Sequence, residues 1–316
     1  MLWRYEYVVV MKRSIFILFA LISASLSAQG LYDYTPNARI AAMGGAGVAT
    51  QADAFATFGN AASALMEYKT VQVAFAYTDF AGEVYRKNRM LSGGGYVRFA
   101  HRHALVVGLQ FNMEPRIDVL DRRPGAQRFD LGYGYKLSDR VALAATARYH
   151  RAYGNIVYDD NYDGGGLDLA LFSQLPVQLM EGAKVNIGAK LAFDAPVKPD
   201  YDRYGIAPAV GVGLSLPFTD GHKLDLTSEL RYGISSREDI FAAKLGAEYS
   251  LMRLLYLRAG ANVSRIIGGM YEQTIGYGTL GVGVRFFHLQ FDVAYLVGKR
   301  NTPFNNAVQI NFGLDF

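Results

Sequence analysis

Ala307-Val308-Gln309-Ile310-Asn311-Phe312-Gly313-Leu314-Asp315-Phe316 puts an apolar residue at every second position. Val308, Ile310, Phe312, Leu314 and Phe316 share one face of an extended strand, and Gln309, Asn311, Gly313 and Asp315 share the other, because successive side chains of a strand point to opposite sides. A helix would scatter the same residues around its circumference. The period of two recurs upstream as far as Lys69, giving fourteen such segments in all. The first sets Val71, Val73, Phe75 and Tyr77 against Gln72, Ala74, Ala76 and Thr78, and the third sets Leu105, Val107, Leu109 and Phe111 against Gly108, Gln110 and Asn112. The second, around residues 93–100, is weaker, and the sixth is short, at residues 167–171.

Alternation alone leaves open which face meets solvent. Three features point the apolar face toward lipid. Most segments run about 9 to 11 residues, the length a tilted strand needs to cross a bilayer. Connections after odd segments are long and polar (residues 113–126, 152–165 and 194–204), whereas those after even segments are short (His101-Arg102, Ser138-Asp139, Phe286-Phe287-His288). Long loops on one side and short turns on the other are the layout of outer-membrane barrels. The last segment, ending on Phe312, Leu314 and Phe316, resembles the recognition signal read by the barrel-assembly machinery. The expected fold is therefore all-β, a 14-stranded antiparallel transmembrane β-barrel. Tyr77, Tyr135, Tyr149, Phe193, Tyr232, Tyr249, Phe286 and Tyr295 fall at segment ends, where interfacial aromatic girdles sit. Arg128, Asp130, Arg148, Asp168, Lys190, Glu229, Arg231, Lys244, Glu248, Arg258 and Asp292 fall on the polar face, able to pair across strands or to line a solute path.

Composition agrees. The 316 residues are 51% hydrophobic, with 34 Gly and no Cys, so a disordered chain, a disulfide framework and a thiolate zinc site are excluded. The mean hydropathy of +0.08 is too low for a bundle of apolar helices. The one long apolar run is N-terminal: Met11-Lys12-Arg13, then Ile15 to Ile22, then small residues to Ala28, which reads as a secretory signal peptide over residues 1–28. The charge placement sets the start at Met11, with residues 1–10 an extension. Losing Arg4, Lys12, Arg13 and Glu6 with the leader would bring the formal charge from +4 to +2, which gives no case for nucleic acid.

Motifs of catalysis and metal binding are few and incomplete. Gly276-Tyr-Gly-Thr-Leu-Gly281 fits the dinucleotide pattern, yet strand alternation continues after it where a helix N-terminus is required. Asp159-Asp-Asn-Tyr-Asp-Gly164 matches the start of a calcium loop, but Ala170 stands where the bidentate Glu belongs, so only a weak exterior site at Asp159, Asn161 and Asp163 remains a candidate. Neither HExxH nor GxSxG is present. A non-enzymatic protein without cofactor is expected.

Before the first segment, residues 29–67 are rich in Ala and Gly: Ala38-Arg39, Met43-Gly-Gly-Ala-Gly-Val-Ala49, Asp53-Ala-Phe-Ala and Asn60-Ala-Ala. These motifs, with Leu280-Gly-Val-Gly-Val-Arg285 and the closing strand, resemble the FadL superfamily and within it the PorV/PorQ-type outer-membrane proteins of type IX secretion. The resemblance implies that residues 29–67 form a hatch inside the lumen of a barrel made by residues 68–316, with Arg39, Gly44, Gly45, Gly47 and Asn60 as gate candidates. The family usually carries Asn-Pro-Ala where this chain has Asn60-Ala61-Ala62, and Pro would stiffen that turn. It also implies one of two functions in the outer membrane of a Gram-negative bacterium. The first is a component or relative of the secretion apparatus that carries secreted proteins. The alternative is a FadL-like channel taking up hydrophobic compounds such as fatty acids. A carrier needs loop tips that grip a protein, and Ile117, Val119, Ile266, Ile267, Met270 and Tyr271 are apolar enough to do so.

Overall fold

A computed structural model of the chain describes residues 35–80, 88–114, 124–153, 162–197, 205–219, 221–235, 239–268, 272–300, 302 and 304–316. The expected leader and the start at Met11 lie outside them. Fourteen strands follow one another: β1 (Val71–Phe80), β2 (Asn88–Phe99), β3 (His103–Met113), β4 (Gly125–Ser138), β5 (Val141–Tyr153), β6 (Tyr162–Pro176), β7 (Lys184–Pro196), β8 (Gly205–Thr219), β9 (His222–Ser235), β10 (Asp239–Leu251), β11 (Leu255–Ile267), β12 (Gln273–Phe286), β13 (Leu289–Gly298) and β14 (Ala307–Asp315). Each pairs antiparallel with its sequence neighbours, and β1 closes on β14 from Gln72↔Asp315 to Asp79↔Val308, giving a closed barrel. Closure leaves no unpaired edge, the condition for a sheet surrounded by hydrocarbon.

The alternation read from the sequence orients the strands. On β3, Leu105, Val107, Leu109 and Phe111 are exposed on the outside, while Ala104, Val106, Gly108 and Gln110 are buried inside. The same holds around the barrel, where Phe75, Leu131, Leu245, Leu280 and Phe312 all stand on the outer surface. An apolar surface of that extent has no stable place in water and matches the lipid-facing band of a membrane barrel. The aromatic side chains divide into two belts. Tyr77, Tyr149, Phe193, Tyr232 and Tyr295 lie near the long-loop ends of their strands, and Tyr135, Tyr249 and Phe286 lie near the short-turn ends. Strands span 9 to 15 residues, longer than the apolar alternation implied, because their polar ends carry the ladder beyond the bilayer band. β6 shows this best: Gly164, Gly165 and Gly166 have no side chains to alternate, yet they pair with β5 and β7.

Residues 35–66 run inside the barrel. A short helix α1 (Ala38–Ala41) packs against β12, β13 and β14, and a 3₁₀ helix (Ala61–Met66) packs against β2 to β6 at the short-turn end. Small residues make this possible. Nearly every residue from Pro36 to Leu65 is buried, and the wall meets the segment with glycines: a Cβ on Gly188 would strike the Val48 carbonyl, and one on Gly246 or Gly260 would strike the backbone at Met43 and Gly44. Two apolar clusters flank the segment. Leu65 packs with Tyr96, Val106 and Phe172 at the short-turn end. At the loop end, Ile266, Ile275, Tyr277, Leu296 and Phe304 form an internal cluster in which Tyr277 and Phe304 stack at 4.2 Å. This corrects one expectation. Ile266 is no exposed loop tip: it is buried inside the barrel mouth, and its neighbour Ile267 takes the outward position.

Candidate functional site

The lumen holds the charged groups of the chain, and the inner segment is built into them. Asn37 caps α1: its Oδ1 accepts from the Arg39 and Ile40 N–H groups, and its Nδ2 donates to both oxygens of Asp53 at 2.9 and 2.7 Å. The wall completes the cap, since Asn311 Nδ2 donates to Asn37 Oδ1 and Asn311 Oδ1 accepts from the Ala38 N–H. Arg39 leaves α1 toward β10 and makes a bidentate pair with Glu248, with Nε and Nη2 each 2.9 Å from a carboxylate oxygen. Glu248 also accepts from Arg258 Nε at 2.5 Å, and Arg258 Nη1 reaches Asp292 at 2.7 Å. Burial alone would lower the Arg39 pKa, but Glu248 and then Asp53 more than offset it, so the guanidinium stays charged. An ion of this kind is stable inside a protein only while every partner is in place.

The three glycines among the gate candidates have separate tasks. Gly44 has φ of +68°, and a Cβ there would run into the Ala261 and Leu245 carbonyls of the wall, so only glycine fits. The Gly45 carbonyl accepts from Lys244 Nζ at 3.3 Å. The Gly47 and Val48 N–H groups both donate to Glu229 Oε2, at 2.8 and 3.0 Å, while Lys244 holds the other oxygen of that carboxylate at 2.9 Å. Asn60 caps the 3₁₀ helix by accepting from the Ala62 N–H, and its Nδ2 bridges the Val48 carbonyl to the Leu171 carbonyl of β6. Thus Arg39, Gly44, Gly45, Gly47 and Asn60 all hold the inner segment to the wall or to itself. Pro is absent from this turn, which is held by the Asn60 side chain and by the Ser63 hydroxyl and N–H, both donating to the Asn60 carbonyl.

On the loop side of the segment lies a cavity of about 570 Å³, floored by residues of the segment and walled by the loop-end parts of β2 to β5 and β7 to β10. Its lining is mixed: Gln110, Asn112, Arg128, Arg148, His150, Lys190, Asp194, Glu229 and Arg231 face it together with Ile40, Val48, Phe55, Phe58 and several alanines, so polar and apolar groups share the surface. Across β4 to β7 these side chains pair, with Arg148 reaching Asp168 at 2.6 Å and Asp194 at 3.1 Å, and Arg128 reaching Asp130 at 2.6 Å. The inward charges expected from alternation are therefore gathered into networks.

Other expected residues fall elsewhere. Ile117, Val119, Met270 and Tyr271 lie outside the described residues, as do Asp159 and Asn161. Asp163 sits near the loop end of β6, accepting from the Tyr149 hydroxyl at 2.7 Å. Among the described residues no group of three His, Asp or Glu side chains is placed to hold a metal ion. Phe312 faces outward, Leu314 is half-buried beside it, and the Phe316 carbonyl accepts from the Thr70 and Val71 N–H groups at 2.7 and 3.0 Å, locking the chain end onto β1. Sequence reasoning missed the pairing of Glu229 and Glu248 with the inner segment, about 180 and 209 positions away, because alternation shows a face and says nothing of what crosses the lumen.

Comparison with known proteins is consistent with this architecture. Residues 26–173 match the family model described as Type IX secretion system protein PorV. No curated protein matches the sequence. Among solved structures, the CymD monoaromatic hydrocarbon channel superposes with a TM-score of 0.59 at 15% identity, over 89% of this chain and 97% of that one. The Pseudomonas putida toluene transporter TodX gives 0.53 at 13% identity, over 92% and 98%. A Pseudomonas aeruginosa FadL homologue gives 0.55 at 12% identity, over 92% and 99%. At such identities the likeness is one of fold.

Proposed function

We propose that this FadL-like barrel, related to PorV over residues 26–173, is a non-enzymatic outer-membrane component or relative of the type IX secretion apparatus that carries secreted proteins on its loop face. The observation that supports this reading most is the character of the lumen. A channel for hydrophobic compounds needs a continuous apolar pocket with few polar groups. Here the apolar side chains that line the space beside the inner segment are interrupted by Arg128, Arg148, Lys190 and Arg231, and the segment below it is fastened by buried ion pairs. An apolar solute entering there would strip water from those charges without replacing its hydrogen bonds. Work at the surface is what this leaves, through the long loops that carry Ile117, Val119, Ile267, Met270 and Tyr271.

In this reading residues 35–66 act as a fixed hatch, and Phe312, Leu314 and Phe316 serve the barrel-assembly machinery during insertion. The alternative, uptake of hydrophobic compounds, draws on the names of the CymD and TodX relatives in fold. Purification of the native complex from outer membranes separates the two. Co-purification with secretion components or secreted proteins is expected, and a stoichiometric bound lipid or hydrocarbon with no protein partner would contradict the carrier reading.

A further inference from the structure

The cavity above the inner segment carries a set of cationic side chains that neither carriage of proteins nor passage of hydrocarbons uses. Six cationic side chains line it: Arg128, Arg148, Arg151, Lys190, Arg231 and Lys244. Three of them are more exposed than a carboxylate they pair with. In the Arg128–Asp130 pair the cation's side chain is 19% exposed and the anion's 0%. In Lys190–Asp168 the values are 12% and 3%, and in Arg151–Asp163 they are 41% and 22%. Asp130 and Asp168 are not part of the lining at all. These three pairs turn their positive ends to the cavity, whereas Arg148 and Lys244 are no more exposed than their partners Asp194 and Glu229.

Carboxylates that do reach the cavity are already engaged: Asp194 by Arg148, Glu229 by Lys244 and Asp53 by Asn37. Glu114 stands at the rim and is exposed to solvent. The volume itself comes from short side chains. Ala192, Ala207 and Ala209 line the same space, and Ala192 faces Ala207 across the β7–β8 ladder, leaving room at the centre of the ring of long cations.

We infer that this cavity binds a small hydrophilic solute bearing phosphate or carboxylate groups. Several guanidinium forks and ammonium groups converging on a half-open cavity match a multi-oxygen anion, because each oxygen accepts a charge-assisted hydrogen bond and partial exclusion of water strengthens the attraction. A volume of about 570 Å³ lies within the range of small-molecule sites. The inference goes beyond the carrier reading and stands or falls without it.

Calorimetric titration of the purified full chain in detergent at low ionic strength tests it, with pyrophosphate and citrate as probes and maltose as the neutral control. Saturable binding of at least one anion and none of maltose is expected. An Arg151→Gln/Arg231→Gln variant that still migrates as a folded, heat-modifiable barrel should bind at least about tenfold more weakly, a loss of about 1.4 kcal/mol. Ala209→Glu, which adds a carboxylate to the lining without removing any existing pair, should cause the same loss. Absence of saturable anion binding, equal binding of maltose, or unchanged affinity in a folded variant would overturn the proposal. Selectivity for pyrophosphate or for citrate tells a phosphate-bearing from a carboxylate-bearing ligand.

Discussion

Glu248 joins the inner segment to the wall by accepting from Arg39 and Arg258 at once. Glu248→Gln would keep the shape of the side chain and remove its charge, leaving two buried guanidinium groups short of an anion. Breaking a buried pair in this way costs about 3 to 5 kcal/mol, so the temperature at which the folded band converts to the unfolded one in heat-modifiability gels should fall well below that of the parent. Asn60→Ala should cost less, about 1 kcal/mol for the lost cap, plus whatever the bridge to Leu171 adds. A variant at Glu248 as stable as the parent would mean that the pair contributes nothing. Arg39, Gly44 and Asn60 stand out in the sequence because they sit in short motifs amid small residues. Their partners do not, since Glu229 and Glu248 look like any polar residue on an alternating strand and gain their role only when the barrel closes around the segment.

Among the elements, β14 is the most legible and β2 the least. β14 alternates without interruption from Ala307 to Asp315, and Ile310 faces outward in the middle of it. Ile310→Arg should cost about 2 to 4 kcal/mol by placing a charge in lipid, whereas Asn112→Arg, in the polar cavity, should cost far less. Refolding yields into lipid vesicles measure both, and equal yields would count against the lipid-facing assignment. Asn311, next to Ile310, is inward as alternation requires. It is no tolerant site, however, because both ends of its amide bind the cap of α1. β2 is obscured by Gly93, Gly94 and Gly95, which present no side chain to read and yet run close against β1 and the inner segment. At the loop end of β11, Ile266 and Ile267 are both apolar, so their pattern cannot tell inside from outside. Burial in the mouth cluster decides it.

For the whole molecule, strand number, order and orientation follow from periodicity and the alternation of loop lengths, both of which are local. The contents of the lumen are not local. They depend on which charges meet across the barrel and on glycines that let the inner segment approach the wall. In the proposed reading this segment and the charges around it close the lumen to apolar molecules, so that the barrel works by binding. Uptake of a labelled fatty acid and of labelled toluene into proteoliposomes bearing the full chain tests this most directly. Rates no higher than in protein-free vesicles are predicted, and saturable, protein-dependent uptake of either compound would contradict it.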